Sequence, residues 1–133
     1  MTRQRIYIEK YDWLIDCYYD TKPENAIYLL GRLQGIGCRG EDYIKARKLL
    51  MSGNPNEGVT FSNGAVRMTI CIIGSTNKDK SEFFNSWEHE ANHIHAHMID
   101  ALGIDHKSEE AAYLKGDLAQ AMFDVASKFF CGC

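Results

Sequence analysis

No apolar run in this 133-residue chain approaches the ~20 residues that a membrane-spanning helix requires, so a membrane protein is not expected. Basic runs are missing too. Fifteen Lys and Arg stand against eighteen Asp and Glu, for a formal net charge of −3, so no nucleic-acid partner is expected. Met1 to Leu14 is charged and alternating, without the apolar core or small-residue cleavage site of a secretion signal. The five cysteines (Cys17, Cys38, Cys71, Cys131 and Cys133) are an odd number and contain no C-x-x-C pair. Cys17 and Cys71 lie in apolar surroundings that suit buried thiols, and Cys131-Gly132-Cys133 reads as a frayed tail. A reduced, cytoplasmic setting follows. There is no repeat, low-complexity tract or linker, and the 45% hydrophobic content suits one domain over 1–133.

Against these absences stands one dense feature, His89-Glu90-Ala91-Asn92-His93, which reads H-E-x-x-H. On a helix, residues i and i+4 share a face, so two imidazoles at that spacing can grip one Zn²⁺. A Glu directly after the first His is placed to act as general base on a water at the metal. The motif thus points to a metal-dependent hydrolase, most often one that cleaves peptides. Because four of the five His fall between 89 and 97, an accidental match has to be tested. The tests are helical context, a polar face at the His pair, and a third ligand.

The helical context is good. Asp79-Lys80-Ser81-Glu82 is a capping box, and a helix is predicted from about 80 to 102, stopped by Gly103. At ~100° per residue from His89, Phe83, Trp87, Ala91, Ile94, Met98 and Ala101 fall between roughly 120° and 200°. His89, His93 and Asp100 fall at roughly 0°, 40° and 20°, on the other side from that apolar stripe. His95, at roughly 240°, reads as solvated surface. His97, at roughly 80°, is either exposed or an accessory group that orients substrate.

Upstream, Trp13 to Tyr19 reads as a strand, and Ala26 to Leu33 as a helix stopped by Gly35 and Gly37. Glu41 to Met51 reads as a second helix ended by Ser52-Gly53. Val59 to Ser62 and Ala65 to Ile73 flank Asn63-Gly64, a strong hairpin signal. The expected fold is α+β: an antiparallel sheet of about three strands packed on helices, with residues 1–55 and 58–130 as its two stretches.

For the third ligand, a His six residues after His93 is not available, since position 99 is Ile. A carboxylate from a following helix is, because Ser108-Glu109-Glu110 opens one with a sound N-cap. Glu109 heads a line through Ala112, Tyr113, Gly116 and Phe123 that suits close helix packing, whereas Glu110 heads one through Asp117 and Asp124 that suits solvent. Glu109 is favoured, with Glu110 kept open. Tyr113 is either a packing residue or an aid to the oxyanion.

His89-Glu90-x-x-His93, followed by a loop and Glu109-x-x-Ala112-Tyr113-x-x-Gly116, resembles the zincin metallopeptidases of gluzincin type. It is similar in particular to small phage- and mobile-element-type zincin-like proteins with a Glu-x-x-Ala-Tyr-Leu stretch after the motif helix. The resemblance covers residues 58–130, including Ile73-Gly74-Ser75-Thr76. It implies zinc held by His89, His93 and Glu109, with Glu90 as base, and a peptide or protein substrate lying along strand 65–73. It also implies a second reading, a zincin-like interaction module that binds metal without catalysis.

Overall fold

The computed structural model describes residues 1–52, 58–74 and 79–131. Four strands form one mixed sheet: β1 (Thr2–Ile8), β2 (Trp13–Thr21), β3 (Val59–Asn63) and β4 (Met68–Gly74), in the order β1-β2-β4-β3. β1 and β2 pair antiparallel, β2 and β4 parallel, and β3 and β4 antiparallel. Four α-helices complete the fold: α1 (Ala26–Gly35), α2 (Gly40–Ser52), α3 (Lys80–Leu102) and α4 (Glu109–Phe130).

The α+β class holds, with four strands in place of about three and a mixed pattern in place of an antiparallel one. The additional strand is β1. Only Ile6 of its seven residues is buried, so as an edge strand it carries little apolar signal. The hairpin at Asn63-Gly64 is present, but its turn is longer than a two-residue one. Asn63 pairs with Met68, Asn63 Oδ1 accepts from the Ala65 amide, and Arg67 takes a positive φ. The predicted strand over 65–73 therefore begins at Met68. The expected helix stop at Gly53, and Ser75 and Thr76, lie outside the described residues.

Alternation along the central strands sorts the core into two layers. Trp13, Ile15, Cys17 and Tyr19 of β2, with Cys71 and Ile73 of β4, face α3 and α4. Tyr18, Ile70 and Ile72 face α1 and α2. Both faces of the sheet are thus covered, so the central strands read as near-continuous apolar runs.

Helix α3 has the bounds its caps predict. Asp79 accepts from the Glu82 amide, and Gly103 ends the helix in the left-handed region at φ 68°. Phe83, Trp87, Ile94 and Met98 are buried as expected. Ala101 is exposed instead, while Ile99 is buried against α4. Helix α4 packs through Ala111, Leu114, Leu118, Met122 and Ala126. The line expected to pack, Ala112, Tyr113, Gly116 and Phe123, faces solvent. Both lines are spaced for a helix; the buried one is aliphatic or thioether throughout, whereas in the other Tyr113 carries a hydroxyl and Gly116 has no side chain to bury.

Candidate metal centre

His89 and His93 stand one turn apart on the exposed side of α3, with their Nε2 atoms 3.1 Å apart. Two nitrogens each ~2.0–2.1 Å from one tetrahedral ion would be about 3.4 Å apart, so this pair is nearly set to share a cation. Ligand atoms of His89, Glu90 and His93 all lie within 4.8 Å of one another, the one such group found among the described residues. The donor set suits zinc: neutral imidazoles with a carboxylate at hand.

Glu90 differs from its two neighbours in being only 4% exposed. Its position, roughly 100° around the helix from His89, turns it from the histidine face toward the sheet. There Thr60 of β3 donates to its Oε2 at 2.6 Å. Gly58 makes room for it: a Cβ there would lie 2.9 Å from Glu90 Cδ and 2.7 Å from the Ile72 carbonyl oxygen. Glu90 is therefore closely packed and hydrogen-bonded, with no cation among its described hydrogen-bond or ion-pair partners.

A groove passes over these residues. Its middle hollow, about 510 Å³, lies between α3 (His89, Glu90, His93, His97) and α2, whose Asp42 and Leu49 form the opposite wall. A hollow of about 570 Å³ adjoins it near Glu82 and Ser86, and one of about 540 Å³ continues past His97 to Asp100. Val59 and Phe61, on one face of β3, and Thr60, on the other, all line the middle hollow. The groove therefore follows the edge of β3 with which no described strand pairs. The substrate strand implied by the family resemblance, 65–73, needs correction here. β4 is hydrogen-bonded to β2 on one side and β3 on the other, so it has no free edge to offer. The opposite wall comes from residues 40–52, a stretch with no motif of its own.

The other candidate residues divide. His97 lines the groove, half-buried, with Nδ1 2.8 Å from Ser62 Oγ. Burial, and secondarily His93, lower its pKa from the usual histidine value, while Asp100 opposes them. His95 is not the solvated residue expected: its Nε2 lies 2.7 Å from the Ala111 carbonyl, tying α3 to α4. Glu109 is outside the His89–Glu90–His93 group. It lines a separate depression with Asn92, His95 and Ala96, on the flank of α3 adjoining the His face. Glu110 turns away, accepting from Tyr11 Oη at 2.7 Å with Lys10 at 3.7 Å. Tyr113 is 69% exposed and lines none of these hollows. Cys17, Cys38 and Cys71 are buried free thiols, whereas Cys131 is disulfide-bonded; Cys133 lies outside the described residues.

Comparison of the chain with protein-family models, with curated proteins and with solved structures found no match. Among the described residues, no helix is long and apolar enough to cross a membrane.

Proposed function

We propose that the protein is a zinc-dependent hydrolase of zincin-like, gluzincin type that cleaves a peptide bond, with His89 and His93 as metal ligands and Glu90 as general base. The observation that carries this reading is the pairing of two converging imidazoles with a buried carboxylate that has no cation among its described partners. Zinc, when bound, supplies the Lewis acid that makes water nucleophilic near neutral pH and polarises the scissile carbonyl. Glu90 takes the proton of the attacking water and delivers it to the leaving amine. Thr60 fixes the carboxylate while leaving Oε1 free of hydrogen bonds to the described residues. An extended peptide fits along the edge of β3 that no described strand occupies, whose backbone can pair with it. Glu109 is proposed as the third ligand on the family resemblance; it lies outside the His89–Glu90–His93 group, on the neighbouring flank of α3.

The test is elemental analysis of protein purified without a nickel resin, followed by turnover of a peptide library. About one zinc per chain is expected, lost in His89→Ala and in His93→Ala. No transition metal after zinc is supplied would end the reading. Zinc without turnover would favour the interaction module.

A further inference from the structure

Behind His97 runs a chain of hydrogen bonds whose direction is set at its buried end, by an indole. Trp13 Nε1 donates to Thr69 Oγ1 at 2.9 Å. Thr69 Oγ1 lies 2.7 Å from Ser62 Oγ, which lies 2.8 Å from His97 Nδ1. An indole N–H can only donate, so Thr69 is the acceptor of that first bond. Trp13 and Thr69 are both fully buried, and Ser62 Oγ is the one described acceptor for the Thr69 proton. Thr69 therefore donates to Ser62, and the one described acceptor left for the Ser62 proton is His97 Nδ1. The reverse order, from His97 Nδ1–H through Ser62 to Thr69, would leave the Thr69 proton with no acceptor in a dry strand, the costly outcome.

A neutral imidazole whose Nδ1 accepts carries its proton on Nε2. That nitrogen has no hydrogen bond to the described residues and is not sealed inside the protein. The ring itself lines both the middle and the far hollow of the groove. A metal-ligating His needs the opposite arrangement, a bare nitrogen toward the cation and the other N–H donated to a neighbour.

We propose that Trp13, Thr69 and Ser62 hold His97 as a neutral Nε2–H donor, which receives a carbonyl oxygen of a peptide in the groove, and that His97 is not the third metal ligand although it follows His93 by one turn. The peptide as occupant rests on the hydrolase reading; the position of the proton does not. A neutral donor beside an unpaired strand edge matches a backbone whose carbonyls recur along its length. His97 is thus a positioning residue for the substrate.

Long-range proton–nitrogen NMR spectra at neutral pH test the proton directly, with the His97 signals assigned through His97→Phe. In zinc-free and zinc-loaded protein alike, Nδ1 should be unprotonated and Nε2 protonated. Thr69→Val, or Ser62→Ala should the first variant fold poorly, should give a mixture of both forms. His97→Gln should keep its zinc. A proton on Nδ1, a His97 nitrogen that becomes coordinated when zinc is added, or loss of zinc in His97→Gln overturns the proposal. In peptide turnover, His97→Phe should lower kcat/KM at least about tenfold, and His97→Gln, which retains an N–H, should recover part of it. Equal rates for wild type and His97→Phe overturn the donor role. Absence of wild-type turnover overturns the peptide as occupant together with the hydrolase reading, while the spectra decide the proton independently.

Discussion

Two carboxylates are buried on opposite faces of the sheet, Asp16 at 1% exposure and Glu90 at 4%, and they are completed in different ways. Asp16 accepts two hydrogen bonds from Arg3, at 2.8 and 2.7 Å, one from Arg32 at 2.9 Å and one from Tyr18 at 3.1 Å. Burial alone would raise its pKa, but the bonds from Arg3, Arg32 and Tyr18 together outweigh that and hold it below the usual carboxylate value. The group is saturated, and it ties β1, β2 and α1 together. Glu90 has one hydroxyl, that of Thr60, and no guanidinium among its described partners. A carboxylate satisfied by permanent cations has its oxygens fully engaged, whereas Glu90 keeps Oε1 without a hydrogen bond to the described residues. Burial alone does not tell the two carboxylates apart; the completeness of the partner set does.

The sharpest way to break the comparison is to neutralise each carboxylate in turn. Glu90→Gln should lower peptide turnover by about 10²–10⁴-fold or more while zinc stays bound and stability changes little. Loss of zinc with the fold intact would show that Glu90 is a ligand, and full activity would mean another base. Asp16→Asn should do the reverse. It leaves guanidiniums without their anion and should cost about 2–4 kcal/mol in urea unfolding, below the ~3–5 of a fully buried pair because Arg3 and Arg32 reach water. Zinc content and turnover of the folded variant should remain. If Asp16→Asn proves neutral, the saturated site contributes no more than a surface pair.

A smaller effect separates the two acidic residues that open α4. Glu109→Ala should weaken zinc affinity at least about tenfold, and Glu110→Ala should leave it unchanged while releasing Tyr11 and Lys10. Zinc titration is the readout, and a larger loss in Glu110→Ala would reverse the assignment. The smallest effect is on acid stability. Because the folded-state pKa of Asp16 is depressed, its contribution is complete above the unfolded value of about 3.9 and is lost as pH falls through the lower folded value. Below about pH 4, wild type should therefore lose stability more steeply than Asp16→Asn, as followed by urea midpoints across that range.

Much of this was legible in the residues themselves. The Asp79 cap and Gly103 bound α3, and helical periodicity separated His89 and His93 from the apolar stripe. The burial of Glu90 was implicit too, since Glu90 projects next to that stripe, but its partner Thr60 is 30 residues away and no spacing rule reaches it. For α4 the line expected to pack, through Ala112, Tyr113, Gly116 and Phe123, was the wrong one, because packing against α3 and the sheet uses Ala111, Leu114, Leu118 and Met122. Strand β1 was concealed because an edge strand with one buried residue lacks the amphipathic signature. Asp16 looks like an interruption of an apolar strand until Arg3 and Arg32 arrive from separate elements.

By itself the sequence determined what is local: the caps, the helical phase that brings two imidazoles together, and the hairpin signal at Asn63-Gly64. These follow from 3.6-residue and two-residue periods and from turn chemistry, which act over a few positions. Tertiary structure alone decided that α2 walls the groove, that β3 and not β4 offers a free edge, and that a buried hydroxyl chain ends at His97. Each of these joins residues far apart in the chain, through contacts that exist only once the sheet order β1-β2-β4-β3 has formed.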